Sequence, residues 1–540
     1  MKNKLGTSFL IAISLLFIYQ SNVFSFTEER DKIIKFADPN LEKVIREVIN
    51  RPEGDIYQSY VKSIKSLEID TRGITNLEGI EHLTALVKLD LSHNYELRNI
   101  NELSKLKTLK ELILHEDGIS DITPLSNLRN LESLDLYHCK DLELSQLANL
   151  TNLKKLKLSS NEIIDISPLK NLKNLTKLIL GNNYIWNISA LSNLTNLETL
   201  VLGRNMINDI IPLSNLTNLK VLDLGSNKVT NINALSNLTN LNALGLRGNY
   251  ISDLKPLKYL VNLRSLSLMD NKITDIKVLS NLKNLETLDL WGNKIKNIKP
   301  LRRLIKLNNL NLGVNKIEKV KDLKDLTNLT RLRLVSNQIK DLKGLGSLTN
   351  LESLDLDSNQ ITDINELSSL TKLTYLYLGY NEITNIDGLS SLTKLKKLIL
   401  SENKINNIQG LSKLTNLRAL YIGDNAITDI GPVQELPDLF TLNYKGNPLP
   451  NYVLKDAMYK KLLLSIFDPY IKKELNKYYG YSPADYKGII LDIETVYSVI
   501  YKVKVRIKPY GTDVFTMIIV KDNKGIHIED VQHEKMEYLY

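Results

Sequence analysis

Between residues 117 and 447 the apolar positions return every 22 residues in the order Leu-x-x-Leu-x-Leu-x-x-Asn-x-Ile-x-x-Ile. Leu153, Leu156, Leu158, Asn161, Ile163 and Ile166 fill one copy, and Leu175, Leu178, Leu180, Asn183, Ile185 and Ile188 fill the next. The alternation in Leu-x-x-Leu-x-Leu predicts a short strand whose leucines face a core. The Asn that follows turns inward at the strand end, where it can bond backbone groups of adjacent copies that burial would otherwise leave unpaired. The return stretch, such as Ile163-x-x-Ile166-x-Pro168-Leu169-x-x-Leu172, is too short for several α-helical turns and predicts 3₁₀ turns.

Indexed by the Asn position n, the chain holds eighteen rungs. The first is degenerate, with Ile64, Leu67 and Ile69 before Arg72; Asn94 follows after 22 residues and Asp117 after 23, one residue near Tyr95 being extra. Cys139 comes next, and then the regular ladder of Asn161, Asn183, Asn205, Asn227, Asn249, Asn271, Asn293, Asn315, Asn337, Asn359, Asn381, Asn403, Asn425 and Asn447. A leucine period of this length specifies a leucine-rich-repeat solenoid, in which no copy can bury its leucines alone. The expected fold class is therefore an α/β solenoid, a right-handed superhelix with a parallel sheet on the concave face and 3₁₀ turns on the convex face. At strand spacing, eighteen rungs make a sheet roughly 85 Å long.

The ends differ in composition. Lys2, Lys4 and an apolar run from Phe9 to Tyr19, with Val23-Phe24-Ser25 as a cleavage site, read residues 1–25 as a signal peptide. Export and secretion, or loose association with the cell surface, are the expectation. Residues 26–62 are expected to form an N-terminal helical cap: Asp38-Pro39-Asn40 starts a helix, and Leu41, Val44, Ile45, Val48 and Ile49 share one face. Such a cap would cover the open end of the repeats at residues 63–447. Residues 448–540 read as a small C-terminal α+β domain. Its expected helix spans residues 454–478, and its strands cover 489–493, 496–507, 514–520 and 526–531 with a hairpin turn at Asp522-Asn523-Lys524-Gly525.

Several groups of residues resemble known sequences. The cap Phe36-Ala-Asp-Pro-Asn-Leu-x-x-Val-Ile, the entry Leu77-Glu78-Gly79-Ile80-x-x-Leu83 and the Pro-Leu-Ser-Asn-Leu-Thr-Asn-Leu units resemble internalin-type bacterial leucine-rich-repeat proteins over about residues 33–447. The resemblance implies an exported protein whose concave face binds other proteins. Leu462-Leu-Leu-Ser-Ile-Phe-Asp-Pro-Tyr-Ile471 with Lys477-Tyr-Tyr-Gly480 is similar to an uncharacterised domain of exported proteins in Gram-positive spore-formers, and it implies no activity.

Side chains at n−6, n−4 and n−2 are predicted to leave the sheet on its concave side. Most are Ser, Gly, Thr, Lys or Asp, but n−4 becomes Tyr377, Ile399 and Tyr421 in consecutive rungs, flanked by Tyr375 and Tyr380. Arg331, Arg333, Asp355 and Asp357 stand on the rungs before. Aromatics rimmed by charge are the makings of an interface hot spot, although tyrosines also suit a strand for its own sake. A second candidate is the n−2 column Arg247, Met269 and Trp291, with Arg204 nearby.

Charge and chemistry add little. The net charge of +9 favours anionic wall polymers as an additional attractor, but acids are interspersed with the bases, and neither a basic run nor an aromatic-basic motif points to nucleic acid. The single cysteine excludes an internal disulfide and reads as a small buried hydrophobe. His93, His115 and His138 with Glu116 are ligand-type residues on neighbouring rungs, but their registers are staggered, and no metal site is expected there. His527, Glu529, Asp530, His533 and Glu534 match no zinc-hydrolase spacing and read as polar strand residues. No phosphate loop or nucleophile elbow is present, so neither catalysis nor a cofactor is expected. The expected partner is another protein, of host or bacterial surface, or a glycan, and the mature chain is expected to carry no transmembrane segment. The competing expectation is an envelope-associated structural or accessory protein in which the C-terminal domain makes the decisive contact.

Overall fold

The structure, a computed structural model, describes residues 31–116, 118–139, 141–434 and 436–449, together with strands between residues 489 and 534. The expected signal peptide, the helix expected over 454–478 and the spore-former-like segment lie outside the described residues. The chain forms two compact units, Met1–Asn315 and Lys316–Tyr540.

The first unit opens with a helix, α1 (Pro39–Ile49). Asp38 caps it: one carboxylate oxygen accepts from the amides of Asn40 at 2.8 Å and Leu41 at 3.3 Å, and the other accepts from Thr75 at 2.6 Å and Asn76 at 3.2 Å. One side chain thus satisfies both the helix N-terminus and the entry to the first rung. Leu41, Val44 and Ile45 are buried, as their spacing predicts, but Val48 is exposed. The helix ends two residues later, where Asn50 adopts the left-handed conformation at φ 53. The short strand Ile33–Ile34 pairs antiparallel with Ile56–Tyr57 beside it.

Twelve short strands follow in this unit, from Ser66–Glu68 to Asn309–Asn311, one to each rung. They pair in parallel with leucine over leucine: Leu67 on Leu89, Leu89 on Leu112, and onward through Leu288 on Leu310. The extra residue near Tyr95 is absorbed between the strands Lys88–Asp90 and Glu111–Ile113, so the pairing never slips. The return stretches are 3₁₀ turns, for example Ser167–Asn171 and Lys255–Tyr259, each carrying a proline in its first turn. Proline suits that place because its φ is already set and no partner is needed for a missing N–H.

The ladder asparagines turn inward and use both ends of the carboxamide. Asn227 is buried, donates to the carbonyls of Leu202 at 3.0 Å and Leu224 at 3.1 Å, and accepts from the Ile207 amide of the preceding rung at 2.9 Å. Cys139 keeps the place with a weaker group: it is buried, its thiol faces the Leu114 carbonyl at 2.9 Å, and its amide donates to Asn161 at 2.6 Å. A second ladder, unforeseen from the sequence, runs along the return side. The Asn of Leu-Thr-Asn-Leu donates across to the preceding rung, as in Asn196 to Lys173 at 3.0 Å and Asn218 to Thr195 at 2.9 Å. The Asp or Asn before many of the turns accepts from the amide two residues on, as Asp209 does from Ile211 at 2.9 Å.

The second unit repeats the pattern in six strands, from Arg331–Arg333 to Thr441–Asn443, with Leu332, Leu354, Leu376, Leu398, Leu420 and Leu442 in one column. It also contains a four-stranded antiparallel sheet of Ile489–Tyr497, Ile500–Arg506, Val514–Asp522 and Gly525–Glu534. These strands occupy the expected region, and Asp522 pairs with Gly525 where the hairpin is expected. The second strand begins later than its sequence suggests, at Ile500, because the first extends to Tyr497. His527 and His533 fall on the last strand.

Replacing Asn227 with Ala should cost about 2–4 kcal/mol, since two buried carbonyls and one amide lose their partner. The urea midpoint should fall clearly below that of a neighbouring surface control, Lys228→Ala; an equal midpoint for the two would contradict the ladder's role.

Candidate partner-binding surface

On the second unit the column foreseen from the sequence is assembled in register. Tyr377 pairs with Ile399 and Ile399 with Tyr421 across three parallel strands, and Tyr375 pairs with Lys397. Period-two alternation puts Leu376, Leu398 and Leu420 in the core and these neighbours on the opposite face. Tyr375 is 43% exposed and Tyr380 61%. Tyr377, Ile399 and Tyr421 are half-buried, less open than their positions predict. One reason is Lys397, whose ammonium lies 5.3 Å from the Tyr377 ring centre and 5.6 Å from that of Tyr421. It bridges the two rings in cation–π geometry and covers part of each. Tyr380 sits at n−1, where the backbone is left-handed at φ 53, and projects at the rim of the column.

Acids stand on the adjoining rungs. Arg331 and Arg333 are exposed, Arg333 pairs with Asp355, and Asp355 pairs with Tyr377. Asp357 accepts a short hydrogen bond from the Gly379 amide at 2.6 Å. Its pKa is pushed up to about 6, first by loss of water around it and then by the Asp355 carboxylate, against the pull of the Gly379 amide and Lys397. Asp355 is raised too: desolvation outweighs its bond from the Asp357 amide and the attraction of Arg333. The face therefore presents two acids short of solvation between arginines and tyrosines.

The second candidate column is built on the first unit. Arg247 is exposed, while Met269 and Trp291 are half-buried on consecutive rungs, tied by backbone bonds from Gly248 to Met269 and from Asp270 to Trp291, both 2.8 Å. Arg204 is exposed one position further along its own rung. Arg247 lies back over Gly225, where a Cβ would meet its Cγ at 2.8 Å, so the glycine is what lets the arginine cross the sheet. Asp270 also has a raised pKa, from desolvation and then from Asp289.

Other features escape a reading of the sequence alone. Tyr184, Trp186, Met206 and Tyr250 are exposed on the edge just beyond the ladder, with Lys272 4.7 Å from the Tyr250 ring. The signal lies mainly at n+1, where Tyr184, Met206 and Tyr250 replace the more usual Lys or Glu. On the N-terminal rungs, His93, His115 and Glu116 converge, with ligand atoms all within 4.8 Å. His138, on the next rung, instead helps line a groove of about 350 Å³ with Tyr137, Glu162 and Tyr184. A larger cavity, about 680 Å³ among Lys319, Lys321, Lys340, Asp341 and Lys343, includes none of the residues singled out from the sequence. Among the described residues, no helix is long and apolar enough to cross a membrane.

The family described as "Leucine Rich repeats (2 copies)" matches residues 151–193, 195–237, 261–303, 283–325, 327–369, 371–413 and 393–438. That described as "Endo-beta-N-acetylglucosaminidase EndoS LRR domain" matches residues 36–161. The chain is a leucine-rich-repeat solenoid. Among solved structures, a leucine-rich-repeat protein of Leptospira interrogans is 29% identical, with a TM-score of 0.62 over 68% of this chain and 97% of that one. The functional domain of InlJ from Listeria monocytogenes, which includes a cysteine ladder, is 26% identical, with a TM-score of 0.56 over 74% of this chain and 83% of that one. The plant peptide hormone receptor RGFR1, solved in complex with RGF2, shares the fold at 24% identity, with a TM-score of 0.58 over 73% of this chain and 76% of that one. No curated protein matches the chain. The solenoid fold typically serves as a binding scaffold, and an internalin-type protein, InlJ, is among the structural neighbours of this one.

Because Asp357 binds its proton more tightly folded than at its ordinary value of 3.8, it favours the folded state most at low pH. That contribution is lost as pH rises from about 4 through 6. Asp357→Asn keeps the acceptor for Gly379 and removes the titration. Relative to the parent, it should gain about 1–2 kcal/mol between about pH 4 and about pH 7. Parallel pH profiles of the urea midpoint for the two proteins would count against the desolvated acid.

Proposed function

We propose that this protein is an exported bacterial binding scaffold, internalin-like in action, that captures a partner protein on the face of its sheet. The carrying observation is the registered column Tyr377, Ile399 and Tyr421 with Lys397 between the rings, beside Asp355 and Asp357. A folded chain that keeps large side chains in line on an open face gains little stability from them. A partner that covers them gains apolar area and rigid aromatic contact at small entropic cost.

The electrostatics narrow the partner. Asp355 and Asp357 stay above ordinary carboxylate values although Arg333 and Lys397 are close, so a further cation arriving as water leaves would be well placed. A Lys or Arg of the partner, flanked by an apolar residue that rests on Tyr377 and Tyr421, fits that combination better than a glycan or an acidic wall polymer does. The Arg247, Met269 and Trp291 column would serve as a separate contact. The family resemblance of the cap and repeats, and the likeness to the InlJ functional domain, support the same class of function. The apolar segment at residues 9–19 supports delivery outside the cell.

The test uses the full chain as bait against bacterial-surface and host-membrane extracts, followed by affinity measurement with the protein so captured. Tyr377→Ala combined with Tyr421→Ala should weaken binding at least about 30-fold while the thermal midpoint stays unchanged. Undiminished affinity in that double variant would remove this face from consideration.

A further inference from the structure

We propose that His93, His115 and Glu116 form a three-ligand site for a zinc-class divalent metal ion on the N-terminal rungs. The site stands apart from the tyrosine column and does not rest on the function proposed for it.

The backbone builds the cluster. His93 and Glu116 both occupy the n−1 place, where the chain turns left-handed after the strand, at φ 59 and φ 58. His115 precedes Glu116 at n−2, and its carbonyl accepts from the His93 amide at 2.8 Å. The left-handed turn swings the n−1 side chain toward the neighbouring rung. A stagger that looks unfavourable along an extended strand therefore becomes convergence across the turn. The His93 and His115 ring centres are 5.1 Å apart. Glu116 reaches both rings: its two oxygens face His93 Nε2 at 3.7 Å and His115 Nε2 at 3.6 Å.

Those separations suit a metal better than they suit hydrogen bonds. They exceed the hydrogen-bond range. A tetrahedral ion with bonds of about 2.1 Å holds its ligand atoms about 3.4 Å apart. The ligand atoms present, two imidazole nitrogens and a carboxylate oxygen all within 4.8 Å, need only small ring rotations to close on such an ion. The surroundings add a second argument. Asp70 meets His93 Nδ1 at 2.7 Å, the carboxylate–histidine relation that orients a metal-binding imidazole and turns Nε2 to the metal. His115 also packs against the Tyr137 ring, edge-on at 4.4 Å. The three ligand side chains are each about one-third exposed, at 32%, 32% and 31%, which leaves a path for entry and one coordination position open to water or to a side chain of a partner.

The untagged full chain, stripped with chelator, should take up one equivalent of zinc chloride in competition with a chromophoric chelator. Cobalt(II) in its place should give the absorption of a four-coordinate site. His115→Ala and Glu116→Gln should each lower zinc affinity at least about 10-fold, and Asp70→Asn should lower it about 10- to 100-fold. Saturating zinc should raise the thermal midpoint of the parent and not of these variants. Because Glu116→Gln is nearly isosteric, its metal-free midpoint should match the parent and separate lost binding from lost folding. Failure of the parent to take up zinc, or equal uptake by parent and both ligand variants, would overturn the site.

Discussion

The structure depends on the inward-turned asparagine at the end of most of its strands. A strand of three residues cannot satisfy its own backbone, and the turn that leaves it buries carbonyls with no neighbour in the chain. One carboxamide closes that gap by donating to carbonyls on two rungs and accepting from an amide of the preceding rung. Its geometry fixes both the period and the parallel register, since the donor must reach the rung before. The leucines supply most of the burial, but they would pack in several registers; the asparagine admits one.

That constraint also decides where function can lie. The inward positions are committed to leucine, isoleucine or the ladder, so variation is confined to the open sheet face, the left-handed edge at n−1 and the edge beyond the ladder. Each of these holds something the stack does not require: the tyrosines with their desolvated acids, the histidine pair with Glu116, and Tyr184, Trp186, Met206 and Tyr250. A rigid frame makes such groups effective, because spacing between neighbouring rungs is set before any ligand arrives.

The leucine column, the ladder, the 3₁₀ returns and the Asp38 cap are legible in the sequence because each follows from a fixed spacing. The composition of the tyrosine column is legible for the same reason. Its partial cover by Lys397 is not, because that depends on where a long side chain folds back across rungs. Periodicity alone puts Val48 on the buried face, since it does not report that the last turn of the helix leaves that side chain exposed. The convergence of the histidines escapes an extended-strand rule, because the backbone at n−1 is left-handed. The second ladder is hidden by its regularity: a recurring surface Asn in Leu-Thr-Asn-Leu reads as a solubilising residue until Asn196 and Asn218 are seen reaching the preceding rung.

The claim that the open sheet face carries the function is tested most directly by hydrogen–deuterium exchange on the full chain, with and without its captured partner. Slower exchange is expected in peptides spanning residues 353–357, 375–380, 397–401 and 419–424, with the ladder amides unchanged. Protection confined to residues 489–534, or to the return side of the repeats, would contradict it.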